Sequence, residues 1–239
     1  MDKYNVYQDM SRRTGGEIYL GIVGPVRTGK STFIKRFMEL VVIPEMSDDN
    51  EKVRTIDELP QSADGKMIMT TEPKFIPKEA AVIHFSNQET GKIRLIDCVG
   101  YLVPEAVGAI EEEKERMVKT PWSEEEIPFS KAAEIGTSKV IREHSNLGLI
   151  ITTDGSFGDI PAVNFEEALQ KTVMECEKAG KPFLILVNTS RPDSQETIQF
   201  TKRLEAQYGK TVMAVNCKTM DREDVFRIME QLLADFPIT

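Results

Sequence analysis

Apolar residues along this chain follow two rhythms. Short runs at Ile18–Val23, Leu147–Asp154, Phe183–Asn188 and Val212–Cys217 have the length of strands buried on both faces. Between and after them, apolar residues recur at helical spacing over Ser31–Leu40, Phe129–His144, Phe165–Ala179, Asp193–Tyr208 and Asp221–Phe236. Gly180, with Pro182 beyond it, and Gly209 read as helix stops. From Leu147 onward strand and helix alternate, which implies a parallel sheet with crossover helices on both faces. Lys74–Ile76 and Ala80–Phe85 read as one interrupted strand, Asn87–Gly91 as a turn and Lys92–Asp97 as the next strand. That hairpin joins an edge strand to a central one. The expected fold is α/β, a mostly parallel sheet with one antiparallel edge strand and helices on both faces.

Three stretches lack either rhythm. Residues 1–16 are polar with scattered aromatics and read as an N-terminal extension, so the globular domain is expected over 17–239. Residues 45–72 have loop composition, and so long an irregular segment in a compact domain is usually functional or disordered. Residues 103–126 are acidic and proline-flanked, a solvated insertion. The chain has 239 residues and a net charge of −9, without a long basic run. That argues against nucleic acid as a partner. Its three cysteines, Cys98, Cys176 and Cys217, lack metal-ligand spacing and read as core residues in a reducing compartment. No apolar run approaches the ~20 residues needed to cross a bilayer.

The chemistry concentrates after the first strand. Gly24-Pro25-Val26-Arg27-Thr28-Gly29-Lys30-Ser31 matches G-x-x-x-x-G-K-[ST], the phosphate-binding loop (P-loop) of nucleoside triphosphatases. Its glycines let successive backbone N–H groups point at phosphate oxygens. Lys30 supplies a point charge, the Ser31 hydroxyl can ligate Mg²⁺, and Thr32 continues the helix start whose dipole favours an anion. Asp97-Cys98-Val99-Gly100 closes a strand, so Asp97 is a candidate for the metal and the Gly100 N–H for the terminal phosphate. Thr70 or Thr71, late in the irregular segment, can complete the metal shell in the manner of a switch threonine. Tyr101 stands where many GTPases carry a water-orienting glutamine, so the water-positioning group is unassigned. Arg27 is a candidate built-in arginine finger.

The layout is GTPase-like, but the base-reading motif is missing. The strand ending at Asn188 runs into Thr189-Ser190-Arg191-Pro192-Asp193, without the lysine and correctly spaced aspartate that clamp guanine. Adenine, which offers an N6 donor, fits better, with Asn188 as a partner and Arg191 stacked on the ring. ATP is therefore the expected nucleotide, with GTP as the alternative.

Several strings are long and unusual: Glu17 through Ser31, Asp57-Glu58-Leu59-Pro60-Gln61-Ser62, Ile68 through Phe75, Asp97 through Tyr101 and Ile151-Thr152-Thr153-Asp154-Gly155. They resemble the stage IV sporulation protein A family, the spore-coat morphogenetic ATPases of endospore-forming bacteria. The resemblance implies a translation-factor-related P-loop domain that binds and hydrolyses ATP with Mg²⁺. It places the family's phosphate loop on Gly24–Ser31, its metal aspartate on Asp97 and its sensor threonines on Thr70 and Thr71. It also implies self-assembly into the basement layer of the coat, other coat and forespore-surface proteins as partners, and the mother-cell cytoplasm at the forespore surface as location. Family members continue into middle and C-terminal regions, the latter docking on the forespore membrane. The chain is thus expected to be the isolated nucleotide domain, with membrane docking left to the absent regions. A ribosome-assembly type GTP switch and a scaffold with little turnover are the competing expectations.

Overall fold

The computed structural model describes residues 16–60, 72–84, 90–106, 110–111 and 114–234. The N-terminal extension up to residue 15, Thr70 and Thr71, and parts of the acidic insertion lie outside them. The first strand, β1 (Glu17–Val23), alternates as its burial requires. Ile18, Leu20 and Ile22 fill one face, Tyr19 and Val23 the other. The chain then passes through the Gly24–Gly29 loop into α1 (Lys30–Phe37). Phe33, Ile34 and Phe37, spaced three and four apart, put one stripe of α1 against the sheet. Each such side chain contributes about 1.5–3 kcal/mol relative to exposure. The helix widens into a π turn at Met38–Val42 and then tightens into a short 3-10 turn at Ile43–Glu45 that holds Pro44.

A second helix, α2 (Asp49–Glu58), occupies part of the segment whose composition reads as loop. Its start is marked by Asp48, whose side chain accepts from Asn50 N at 2.8 Å. Asp48 with Glu51 three residues on has the spacing of a capping box. The long strand β2 (Lys74–His84) pairs antiparallel with β3 (Thr90–Asp97), and the pairing slips between Ile76 and Ala81. The acidic insertion contains two small antiparallel ribbons. These are β4 (Ile110–Glu111) with β5 (Lys114–Glu115), and β6 (Met117–Thr120) with β7 (Ser123–Pro128). Glu124, Glu125 and Glu126 are exposed on β7.

Strand and helix alternate from there. α3 (Phe129–Lys139) ends in a π turn at Val140–His144 and leads to β8 (Leu147–Thr153). α4 (Glu166–Lys178), β9 (Phe183–Asn188), α5 (Gln195–Tyr208), β10 (Val212–Val215) and α6 (Arg222–Ala234) complete the chain. Gly209 caps α5 in the left-handed conformation that suits a residue without Cβ. The sheet runs β10-β9-β8-β1-β3-β2, parallel everywhere except the β2–β3 pair. α1 and α6 cover one face, with Val225, Ile228 and Leu232 of α6 in the same cluster as Phe33. α4, α5 and the Val140–His144 turn cover the other. The mostly parallel sheet, its antiparallel edge and its two helical layers are therefore those that the pattern predicts. All three cysteines are buried and unpaired. Parallel order brings the carboxyl ends of β1, β3, β8 and β9 to one rim, where ligands bind in open sheets of this kind.

Candidate functional site

Gly24 leaves β1 at φ 128°, and a Cβ there would stand 2.3 Å from the Ile151 carbonyl oxygen. Only a bare backbone passes so close to β8. Pro25 then pairs with Tyr101 as an isolated bridge, and Val26 N donates to Tyr101 O at 2.9 Å. Arg27 takes φ 61° and is exposed. Thr28 turns inward and its hydroxyl donates to Pro25 O at 3.0 Å. Gly29, at φ 94°, is the N-cap residue of α1; without a side chain it makes no capping bond, while Phe33 N reaches its carbonyl at 2.9 Å. The first-turn amides of a helix have no intrahelical acceptor, so this start is an anion-seeking one. Thr32 is half-buried in that turn.

Lys30 is buried inside the curl. Its ammonium donates to Pro25 O at 2.5 Å and to Gly24 O at 3.3 Å. Burial pulls its pKa down, and nearby Cys98 and Asp97 oppose that only in part. Ser31, next in line, donates its hydroxyl to Asp97 Oδ2 at 2.8 Å. Asp97 arrives from the end of β3, held level with Ile22 by the parallel β1–β3 register. Its other oxygen, Oδ1, is buried without a hydrogen-bond partner among the described residues. Burial pushes the Asp97 carboxyl up, against the pull of Lys30 and the Ser31 bond. A buried acceptor normally finds a donor or a cation, because leaving it bare is costly. The pair Ser31 and Asp97, a hydroxyl and a carboxylate with a spare oxygen, therefore suits a hard divalent cation.

Gly100 closes the rim. At φ 91°, a Cβ would lie 2.0 Å from Gly24 O and 2.7 Å from Lys30 Nζ. Tyr101 follows, but its ring packs with Val26, Val103, Phe165 and Ala168. Its edge lines a groove of about 380 Å³ between α3 and α4, with Lys131, Glu134, Arg142 and Glu175. Burial, aided by those two glutamates, raises its hydroxyl pKa.

Asn188 ends β9 against the loop. Its Nδ2 donates to Thr28 O at 3.0 Å and its Oδ1 accepts from Cys217 N at 3.0 Å. The carboxamide thus ties the loop to β9 and to the turn after β10. Arg191 is exposed beyond it. The structure therefore brings Gly24–Thr32, Asp97, Gly100 and Asn188 together; Arg191 stands on the neighbouring loop, and Thr70 and Thr71 are outside the described residues. Three further polar residues at this rim, Asp154, Ser156 and Thr189, went unread in the sequence. Each sits just past a strand end, the position in which this class of sheet presents polar groups.

A family model described as stage IV sporulation protein A, ATPase domain, matches residues 1–237. The chain belongs to this family. Stage IV sporulation protein A of Bacillus subtilis (strain 168) is 50% identical over all of this chain and 48% of its own length. The Bacillus anthracis protein of that name is 49% identical over the same shares. The one from Clostridioides difficile (strain 630) is 47% identical over 98% of this chain and 48% of its own length. The chain thus spans about half the length of the curated stage IV sporulation proteins A it matches. Among the described residues no helix is long and apolar enough to cross a membrane.

Proposed function

We propose that this chain is a P-loop ATPase of the GTPase-like, translation-factor-related type, converting ATP and water to ADP and phosphate with Mg²⁺. Membership of an ATPase-domain family supports the reaction. The single observation that carries it is the Ser31–Asp97 bond of 2.8 Å, with Asp97 Oδ1 left unpartnered beside a buried lysine. Lys30 and the amides of Gly29 through Thr32 would bind the phosphates, displacing the lysine from the loop carbonyls it now contacts. Ser31 and Asp97 would hold Mg²⁺, with Thr70 or Thr71 joining from the 45–72 segment. When bound, the metal supplies charge neutralisation for phosphoryl transfer. The Gly100 N–H would meet the outer phosphate. Arg27 would place a guanidinium in cis, and Asn188 and Arg191 would border the adenosine.

In the full-length protein the cycle would gate self-assembly of the basement layer of the bacterial spore coat. Such a role would put the protein in the mother-cell cytoplasm at the forespore surface, in contact with copies of itself and other coat and forespore-surface proteins. Membrane docking would belong to regions beyond this chain.

Phosphate release from ATP and from GTP, with Mg²⁺ or with EDTA, tests the reaction. ATP-specific, metal-dependent release that Lys30→Ala abolishes together with ATP binding is the expected result. Arg27→Ala should lower turnover well below its effect on ATP affinity. Release that survives Lys30→Ala would overturn the assignment of the site, and equal losses in binding and turnover for Arg27→Ala would remove the finger.

A further inference from the structure

The ends of β8 and β9 carry a closed polar network that the chemistry above leaves unused. Thr189, fully buried just after β9, donates its hydroxyl to Asp154 Oδ2 at 2.6 Å. Asp154 Oδ1 accepts from Ser156 N at 3.0 Å. The same Thr189 oxygen accepts from Arg191 N at 3.2 Å, and Ser156 Oγ accepts from Ser190 N at 2.8 Å. Thr197 Oγ1 lies 3.5 Å from Asp154 Oδ2 and donates to Arg191 O at 2.9 Å. Both carboxylate oxygens of Asp154 thus accept from the protein, and the hydroxyls of Thr189, Ser156 and Thr197 together hold the 189–191 turn.

The location gives this network its meaning. Asn188, one residue earlier, is bonded to Thr28 of the loop, and β8 lies between β1 and β9. A ligand held at the end of β1 extends along the rim of strand ends in such sheets. Purines differ on their hydrogen-bonding edge. Guanine presents two adjacent N–H donors, at N1 and N2, which one carboxylate accepts together. Adenine presents an amino donor beside an unprotonated ring nitrogen, whose lone pair a carboxylate repels. A carboxylate turned toward the base at this rim would therefore favour guanine, and one turned back onto Thr189 would not.

We infer that Thr189 latches Asp154 away from the base and so makes the site select adenine over guanine nucleotides. The inference rests on the nucleotide site proposed above, with Thr189 as a positioning residue. Binding of MgATP and MgGTP is measured by calorimetry on the chain and its variants. Thr189→Val should lower the ratio of Kd for GTP to Kd for ATP by about tenfold or more, the worth of one hydrogen bond to a charged group. Thr189→Ser, which keeps the hydroxyl, should retain the parent ratio. Adding Asp154→Ala to Thr189→Val should cancel the gain, because the released carboxylate is its source. Thr189→Ala, smaller and easier to accommodate, must move the ratio in the same direction and serves if the valine variant does not fold. Equal weakening of both nucleotides, or a changed ratio that persists without Asp154, overturns the latch while leaving the ATPase reading intact. A parent chain that binds neither nucleotide defeats both.

Discussion

Replacing Gly100 by alanine separates two costs that the structure keeps distinct. At φ 91° the backbone lies where an L side chain is strained, by about 1–2 kcal/mol. The added Cβ would also stand 2.0 Å from Gly24 O, a backbone atom that can retreat only by moving the loop. Overpacking of that kind costs roughly 1–3 kcal/mol. Together they give about 2–5 kcal/mol for Gly100→Ala. Gly158 provides the control, since it has φ 85° with nothing within 4 Å of an added Cβ. Gly158→Ala should therefore lose only the strain, about 1–2 kcal/mol. Urea unfolding followed by fluorescence gives both values, and the difference isolates the close approach of the β3 end to the loop. Because the clash falls on Gly24 O and Lys30 Nζ, Gly100→Ala should also weaken MgATP binding, whereas Gly158→Ala should not. Equal stability losses for the two variants, or undiminished ATP affinity in Gly100→Ala, would refute the reasoning.

Two further predictions concern the groups beneath the loop. Burial raises the Asp97 carboxyl pKa, so the folded chain holds this proton more readily than the unfolded chain. Its contribution is then full below the unfolded value, about 4, and is lost as pH rises through the higher folded value. Asp97→Asn, which cannot ionise, should gain melting temperature relative to the parent between pH 4 and pH 8 when nucleotide and metal are absent. An offset that stays constant across that range in scanning calorimetry would contradict a buried carboxylate. Asn188→Ala orphans Thr28 O and Cys217 N at once, at about 1–3 kcal/mol for each buried group. A loss below ~1 kcal/mol in urea unfolding would show that the carboxamide braces nothing.

The sequence makes the sheet legible because its central strands are buried on both faces. Leu147–Thr153 and Phe183–Asn188 leave no polar face to interrupt the apolar run. The glycine loop is legible for a related reason, since an added Cβ would strike backbone at Gly24 and Gly100 and the Asn188 carboxamide at Gly29. α2 is harder to read. It is mostly polar, buries only Thr55, and exposes Val53 and Ile56, so its stripe looks like none. The capping spacing of Asp48 and Glu51 is its one clear signal. β7 of the β6–β7 ribbon is illegible for a similar reason, with an intermediate-to-exposed pattern that has no strict alternation. At the site, Lys30, Ser31 and Asp97 come from motif spacing, but the role of Asn188 as a brace does not. That role needs partners 160 and 29 residues away, which only the fold supplies. Tyr101 likewise aligns with a catalytic position by sequence, while its ring is committed to a small core with Val26 and Phe165.

Both rims of the six-stranded sheet resist annealing to a neighbour. β10 offers only four residues. β2, on the far side, loses pairing register between Ile76 and Ala81, carries Pro77 within that gap, and exposes Lys74, Lys78 and Glu79. Charged side chains and a broken ladder are how proteins keep edges from templating one another. If the assembly proposed above takes place, its contacts would then lie on helices, loops or appended regions and not along the sheet edges.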